Sequence, residues 1–241
     1  MKQSKKVVAR IIILILALFT VIPGTVSQKV YAEPGGSESS QAADASKDDS
    51  NKKEEKKEED MTPEEREKKA EEDAYKMEIQ SNGWKNWPKG PGTYGEAAIV
   101  MDAGTGSILY AKNIDEHEYP ASITKVMTAL VTLKNCRLDE TVTVGEECQD
   151  IESGSSVCMI EPGDQLTVEQ LLYGLLLNSG NDAAMSLAVY VGGTVDNFVN
   201  MMNEEAASLG ATGTHFANPH GLHDENHYTT AYDIYLMFQE A

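Results

Sequence analysis

The stretch Pro120-Ala121-Ser122-Ile123-Thr124-Lys125-Val126-Met127-Thr128-Ala129 sets a hydroxyl and an amine three residues apart at the head of an apolar run. Ile123, Val126, Met127, Leu130 and Val131 recur at helical spacing, which predicts a buried helix over 122–134. Positions i and i+3 share a helix face, so Ser122 and Lys125 fall within hydrogen-bonding reach of each other. Burial of such a helix disfavours the charged form of the lysine and leaves a neutral amine able to accept the serine proton. At the helix start, unpaired N–H groups and the macrodipole also favour the oxyanion formed in acyl transfer. The pair is a weak signal taken alone, because Ser-x-x-Lys arises by chance about once per 240 residues. Ser50-Asn51-Lys52-Lys53 repeats it in a polar stretch with nothing apolar to exclude water. The context of Ser122 is what separates the two.

Upstream, residues 97–101 and 107–110 are short β-type runs on either side of Asp102-Ala103-Gly104-Thr105-Gly106, the pattern of a hairpin. Downstream, Thr141-Val142-Thr143-Val144 reads as a small strand and Pro162-Gly163-Asp164 as a turn. Thr167 with Gln170 forms a capping box that opens a helix over 168–177, and further helices are expected over 183–191 and 194–209, the last stopped by Gly210. Between the first two lies the polar break Asn178-Ser179-Gly180-Asn181-Asp182. Polar side chains in such a turn can donate to a substrate carbonyl and relay a proton. They can equally be helix caps.

The first 80 or so residues are of a different kind. Lys2, Lys5, Lys6 and Arg10 precede an apolar run over 11–22 that ends at Pro23-Gly24, and Val30-Tyr31-Ala32 follows, the layout of a signal peptide over 1–32. The run is short for a membrane span of about 20 residues, and an uncleaved N-terminal anchor is the alternative. Both place the remainder outside the cytoplasm. Residues 33–83 are rich in Ser, Asp, Glu and Lys and read as a disordered acidic tether, with a lone solvated helix over 63–77 announced by Thr62-Pro63-Glu64-Glu65. The folded part is expected from Trp84 onward. Over 77–241 there are 23 acidic residues against six basic ones, within a formal charge of −19 for the chain, and such a surface excludes nucleic-acid partners. Three cysteines, Cys136, Cys148 and Cys158, cannot make a disulfide framework, although one bridge between Cys148 and Cys158 would close a Gly/Ser-rich loop.

Three blocks in order carry a resemblance: 120–129, then Leu176-Leu177-Asn178-Ser179-Gly180-Asn181-Asp182-Ala183-Ala184, then Phe216-Ala217-Asn218-Pro219-His220-Gly221-Leu222 with the residues up to Asp233. From about Gly95 onward the chain resembles the low-molecular-mass penicillin-binding proteins that are D-alanyl-D-alanine carboxypeptidases, the S11 serine peptidases. The resemblance implies a mixed α/β fold of the DD-peptidase/β-lactamase type, an antiparallel sheet beside a large helical region. It implies Ser122 as acylated nucleophile, Lys125 as general base, Ser179 as proton relay and Asn181 as a ligand for the substrate's peptide carbonyl. The implied substrate is a peptidoglycan stem peptide ending in D-Ala-D-Ala, with β-lactams acylating the same serine and no metal or cofactor taking part. That family also carries Lys-Thr-Gly on a strand across the cleft, and no such triplet follows Asn181. Residues 84–241 are therefore expected to be the N-terminal part of the catalytic domain with its sheet incomplete, membrane proximity coming from the N-terminus or an anchor beyond residue 241, and hydrolysis by these residues alone is not expected. Two alternatives are a class A-like β-lactamase, which usually carries Asp where this chain has Gly180, and a catalytically silent wall-binding protein. His215, His220, His223 and His227 with Asp224 could hold zinc, but their spacing fits no metal pattern and structural roles in a loop are expected.

Overall fold

The computed structural model of the chain describes residues 61–241; the expected signal peptide and most of the expected tether lie outside them. Helix α1 (Pro63–Lys76) begins where its capping box puts it, with Thr62 Oγ1 accepting from Glu65 N–H and the Glu65 carboxylate accepting from Thr62 N–H. It is solvated over most of its length but is not a lone helix. Its last turn is tied to the body, because the fully buried Lys112 ammonium donates to the carbonyls of Ala74 (2.6 Å), Thr93 (2.9 Å) and Gly95 (2.6 Å). Ala74, Ile79 and Ser81 are buried as well, so packing starts about ten residues before the expected boundary at Trp84. Lys112 ends a strand in which Ala111 beside it is fully buried as well, and nothing local marks its amine as the partner of a helix terminus.

That strand is β2 (Ile108–Lys112), paired antiparallel with β1 (Ala98–Met101) from Ala98↔Lys112 to Met101↔Ile108, with an irregularity at Val100/Met101. The expected hairpin is present, its turn closed by Asp102 Oδ1 accepting from Gly104 N–H and Thr105 N–H at 3.0 and 2.7 Å. A second two-stranded antiparallel piece pairs β3 (Thr141–Thr143) with β4 (Gln165–Thr167). The sheet component thus consists of two separate antiparallel pairs among the described residues.

Among the described residues five further α-helices follow: α2 (Thr124–Asn135), α3 (Val168–Leu177), α4 (Asn181–Gly192), α5 (Val195–Ser208) and α6 (Ala231–Glu240). All of Thr124 to Thr132 is buried, since α2 separates two apolar clusters. One gathers Ala129, Leu171, Leu175 and Leu187 from α2, α3 and α4. The other gathers Met127, Leu130, Phe198, Met202 and Met237 from α2, α5 and α6, with Phe216 of the intervening loop. Each fully buried leucine or phenylalanine contributes about 1.5–3 kcal/mol. α3 carries the expected capping box at Thr167 and Gln170, and Gly193 and Gly210 take left-handed backbone just beyond α4 and α5. Cys136, Cys148 and Cys158 are all unpaired: the Cys148 thiol faces the Ile160 carbonyl, whereas Cys158 packs against Gly174 and Gly180.

The Lys112 arrangement yields an expected result. Lys112→Met leaves three carbonyls of α1 and the 93–95 loop without their donor, and should lower stability by about 3 kcal/mol. Denaturant unfolding of the whole protein reads this out. A midpoint equal to that of the unsubstituted protein would show that the amine contributes nothing.

Candidate active site

Ser122 does not lie inside the helix, as its motif suggested. It stands in a short 3-10 turn (Ala121–Ile123) that precedes α2, entered through Ala121 in left-handed backbone at φ 46°. The reason lies in what packs there. Gly221, at φ 87°, comes so close to the turn that a Cβ on it would meet the Ala121 carbonyl oxygen at 1.8 Å. Thr128 Oγ1 donates to the Pro219 carbonyl at 2.6 Å and draws the same loop onto α2. Asn218 stiffens the loop by accepting from Gly221 N–H and donating to the Leu222 carbonyl.

The 3-10 winding preserves the relation that matters. Lys125 Nζ lies 3.2 Å from Ser122 Oγ and donates to the His220 carbonyl at 2.7 Å. Lys125 is 3% exposed, and burial lowers its ammonium to about 8, against a smaller opposing influence from the Cys158 thiol. Ser122 itself remains exposed. Ser179 Oγ donates to Ser122 Oγ at 2.9 Å from the break between α3 and α4, held there by left-handed backbone at φ 54°. Three atoms, amine nitrogen and two hydroxyl oxygens, therefore form one hydrogen-bonded row, which is the minimum needed to take a proton from one oxygen and return it elsewhere.

Asn181 is the first residue of α4 and is 3% exposed; its N–H donates to the Ser156 carbonyl at 2.9 Å. The α3–α4 turn is fixed from below by Asp182, whose buried carboxylate accepts from Cys158 N–H at 2.9 and 2.8 Å and from Ala183 N–H at 2.8 Å. Asn178 Nδ2 adds a bond to the Val157 carbonyl at 2.7 Å. Of the four residues expected at the site, Ser122, Lys125 and Ser179 are in direct contact, whereas Asn181 lies two positions beyond Ser179, buried at the start of α4.

Sequence reasoning missed the parts that hold them. His227 is buried, and because its Nδ1 accepts from Ala217 N–H (3.1 Å) its Nε2 is the protonated nitrogen and donates to Thr124 Oγ1 (2.7 Å). Burial lowers both His220 and His227 to about 4, so each is neutral at ordinary pH. His215 and His223 stay exposed, and among the described residues the histidines and Asp224 do not gather as a metal-binding group would. The only available signal was the polar richness of the 215–227 segment. The role of Asp182 was readable in part, as an acid in the first turn of a helix.

The lowered amine gives a pH dependence with a definite sign. Only the unprotonated form accepts a proton, and a pKa near 8 makes that form available below the ordinary lysine range. Acylation of Ser122 by a reactive acyl donor should rise about tenfold per pH unit at low pH and level off near 8. A rate still climbing with unit slope at pH 9.5 would mean that the amine is not shifted.

The profile of peptidase family S11, described as D-alanyl-D-alanine carboxypeptidase, matches residues 86–241. D-alanyl-D-alanine carboxypeptidase DacF of Bacillus subtilis is 37% identical over 150 residues, 60% of this chain and 38% of the relative. DacC of Escherichia coli is 40% identical over 156 residues, 61% of this chain and 39% of the relative. Among solved structures, the D-alanyl-D-alanine carboxypeptidase of Mycobacterium tuberculosis superposes with a TM-score of 0.59 at 37% identity over 68% of this chain and 61% of that one. Penicillin binding protein 5 from Haemophilus influenzae gives a TM-score of 0.60 at 35% identity over 63% of this chain and 46% of that one. The chain spans about two fifths of the length of these curated relatives.

Proposed function

The chain belongs to the D-alanyl-D-alanine carboxypeptidase family of serine peptidases, and from that premise we propose that it removes the terminal D-alanine of peptidoglycan stem peptides through an ester on Ser122. Ser122 Oγ attacks the carbonyl carbon of the penultimate D-alanine while its proton passes to Lys125 Nζ. The departing D-alanine amine takes up a proton through Ser179, and Asn181 donates to the peptide carbonyl upstream. Water then attacks the ester and releases the shortened peptide, restoring the hydroxyl and the amine. β-Lactams acylate the same oxygen. The route needs no metal or cofactor.

The observation that carries this reading is the contact of Ser122 Oγ with both Lys125 Nζ, at 3.2 Å, and Ser179 Oγ, at 2.9 Å, beside an amine lowered to about 8. The β-lactamase alternative loses support at Gly180. A Cβ there would lie 2.4 Å from Cys158 Sγ and 2.9 Å from Asp182 Oδ1, so an aspartate does not fit. In this reading residues 1–32 direct export to the outer face of the membrane or the wall, where the substrate is, and membrane proximity comes from an uncleaved N-terminus or an anchor beyond residue 241. Nucleic acids are not partners of so acidic a surface.

The test is made on the whole protein. A peptide ending in D-Ala-D-Ala should release one D-alanine per peptide cleaved, over many turnovers, and penicillin should add its mass to the fragment containing Ser122. The absence of both release and adduct would refute the function and favour the silent wall-binding alternative; an adduct without release would keep Ser122 as nucleophile and remove the hydrolysis.

A further inference from the structure

Thr124 is the joint between the two reacting residues. It closes the 3-10 turn that carries Ser122, its N–H shared between the carbonyls of Ala121 and Ser122, and it is the first residue of α2, one place before Lys125. The turn is entered through Ala121 at φ 46°, a left-handed conformation that a residue with a Cβ keeps only where its surroundings impose it. The joint therefore has to be held, and the buried hydroxyl of Thr124 shows by what: its Oγ1 accepts from His227 Nε2 at 2.7 Å.

His227 is itself 2% exposed, its ring stands edge to face on that of Phe216 with centroids 5.6 Å apart, and its Nδ1 accepts from Ala217 N–H at 3.1 Å. Both ring nitrogens are committed, and neither is left to exchange a proton with substrate. The imidazole instead links α2 to the head of the 217–221 segment, which runs back along the helix contact by contact. The Pro219 carbonyl accepts from Thr128, the His220 carbonyl accepts from Lys125, and Gly221 lies on Ala121. The His220 contact cannot be the anchor, because the Lys125 amine changes its protonation as the serine reacts. The bond at Thr124 does not change, and it sits between the two residues whose separation matters.

We propose that His227 is a positioning residue: by pinning Thr124 to the 217–221 segment it holds Ser122 Oγ against Lys125 Nζ and keeps the His220 carbonyl on the amine. This rests on the acyl-enzyme reading of Ser122. Without the pin, Ala121 can relax to right-handed backbone and swing Ser122 away, and the segment can lift and admit water to Lys125. Burial is what lowers the amine, so water would raise it from about 8 toward the ordinary lysine value.

The rate of acylation by penicillin, followed against pH on the whole protein, decides it. His227→Phe keeps a ring and removes both hydrogen bonds. It should slow acylation roughly 10- to 100-fold, the cost of displacing a reacting group by about an ångström, and move the midpoint of the pH profile upward from about 8. His227→Gln offers an acceptor and a donor in place of the two nitrogens, and should recover most of the rate and the original midpoint. Thr124→Val removes the other end of the bond with little change of shape. It should reproduce the slowing and the shift, and combined with His227→Phe it should add nothing further. If the phenylalanine variant does not accumulate, Thr124→Val carries the same test. Slower acylation with an unmoved midpoint would reduce His227 to a packing residue and overturn the inference, and so would two effects that multiply in the double variant. Acylation unchanged in both single variants overturns it as well, and each of these results leaves the proposed function standing. No acylation of the unsubstituted protein removes both this inference and the function beneath it.

Discussion

Ser122→Ala in the whole protein abolishes covalent labelling by a fluorescent penicillin, and Ser50→Ala leaves it intact. Both serines satisfy Ser-x-x-Lys. Ser122 faces an amine that burial has lowered to about 8, at 3.2 Å, with a second hydroxyl at 2.9 Å, whereas the sequence around Ser50 is polar with nothing apolar to lower a lysine. Loss of a serine nucleophile from a concerted set costs on the order of 10⁶ in kcat, so residual turnover should be undetectable. Ser179 is not a substitute, since its hydrogen bond runs to Ser122 rather than to Lys125. Labelling that persists in Ser122→Ala and maps to Ser179 would reverse the two roles; labelling that maps elsewhere would remove the site altogether.

Lys125→Arg should be about as damaging as Lys125→Ala, with acylation slowed by about 10²–10⁴ in each. A guanidinium stays protonated and cannot accept the Ser122 proton, although it preserves the charge. It is also larger than the amine in a place where Nζ is already held by the His220 carbonyl at 2.7 Å. If the arginine variant kept more than about a tenth of the rate, Lys125 would be acting through its charge and not as a base. Stopped-flow acylation on both variants separates these outcomes, with far-UV spectra to establish that each is folded.

What was legible in the sequence was what short-range geometry governs. Thr62 with Glu65 and Thr167 with Gln170 are reciprocal caps three residues apart, and both form as expected. The hairpin around Asp102 follows from its own turn residues. The pairing of β3 with β4 was not foreseen, because only its first strand has a visible β pattern. The site shows the same division. Ser122, Lys125, Ser179 and Asn181 carry the recognisable chemistry and were named. Thr124 with His227, bonded across 103 positions, and Lys125 with His220, across 95, were not, because no spacing along a chain encodes such contacts. The start of α2 moved two residues for a related reason, since left-handed Ala121 answers to a glycine a hundred residues away.

Lys112 has a mechanical consequence. Tension applied at residue 61 would run down α1 and reach the body through the bond from the Lys112 amine to the Ala74 carbonyl. From β2 it would pass to β1, and through the Tyr232 N–H bonded to the Ile114 carbonyl (3.0 Å) to α6. Ser122 and Ser179 have further ties of their own, to the Gly221 loop and to Asp182. A stretched tether would therefore load the hairpin first and reach the hydroxyl row only after passing through α6 and the cluster it shares with α2.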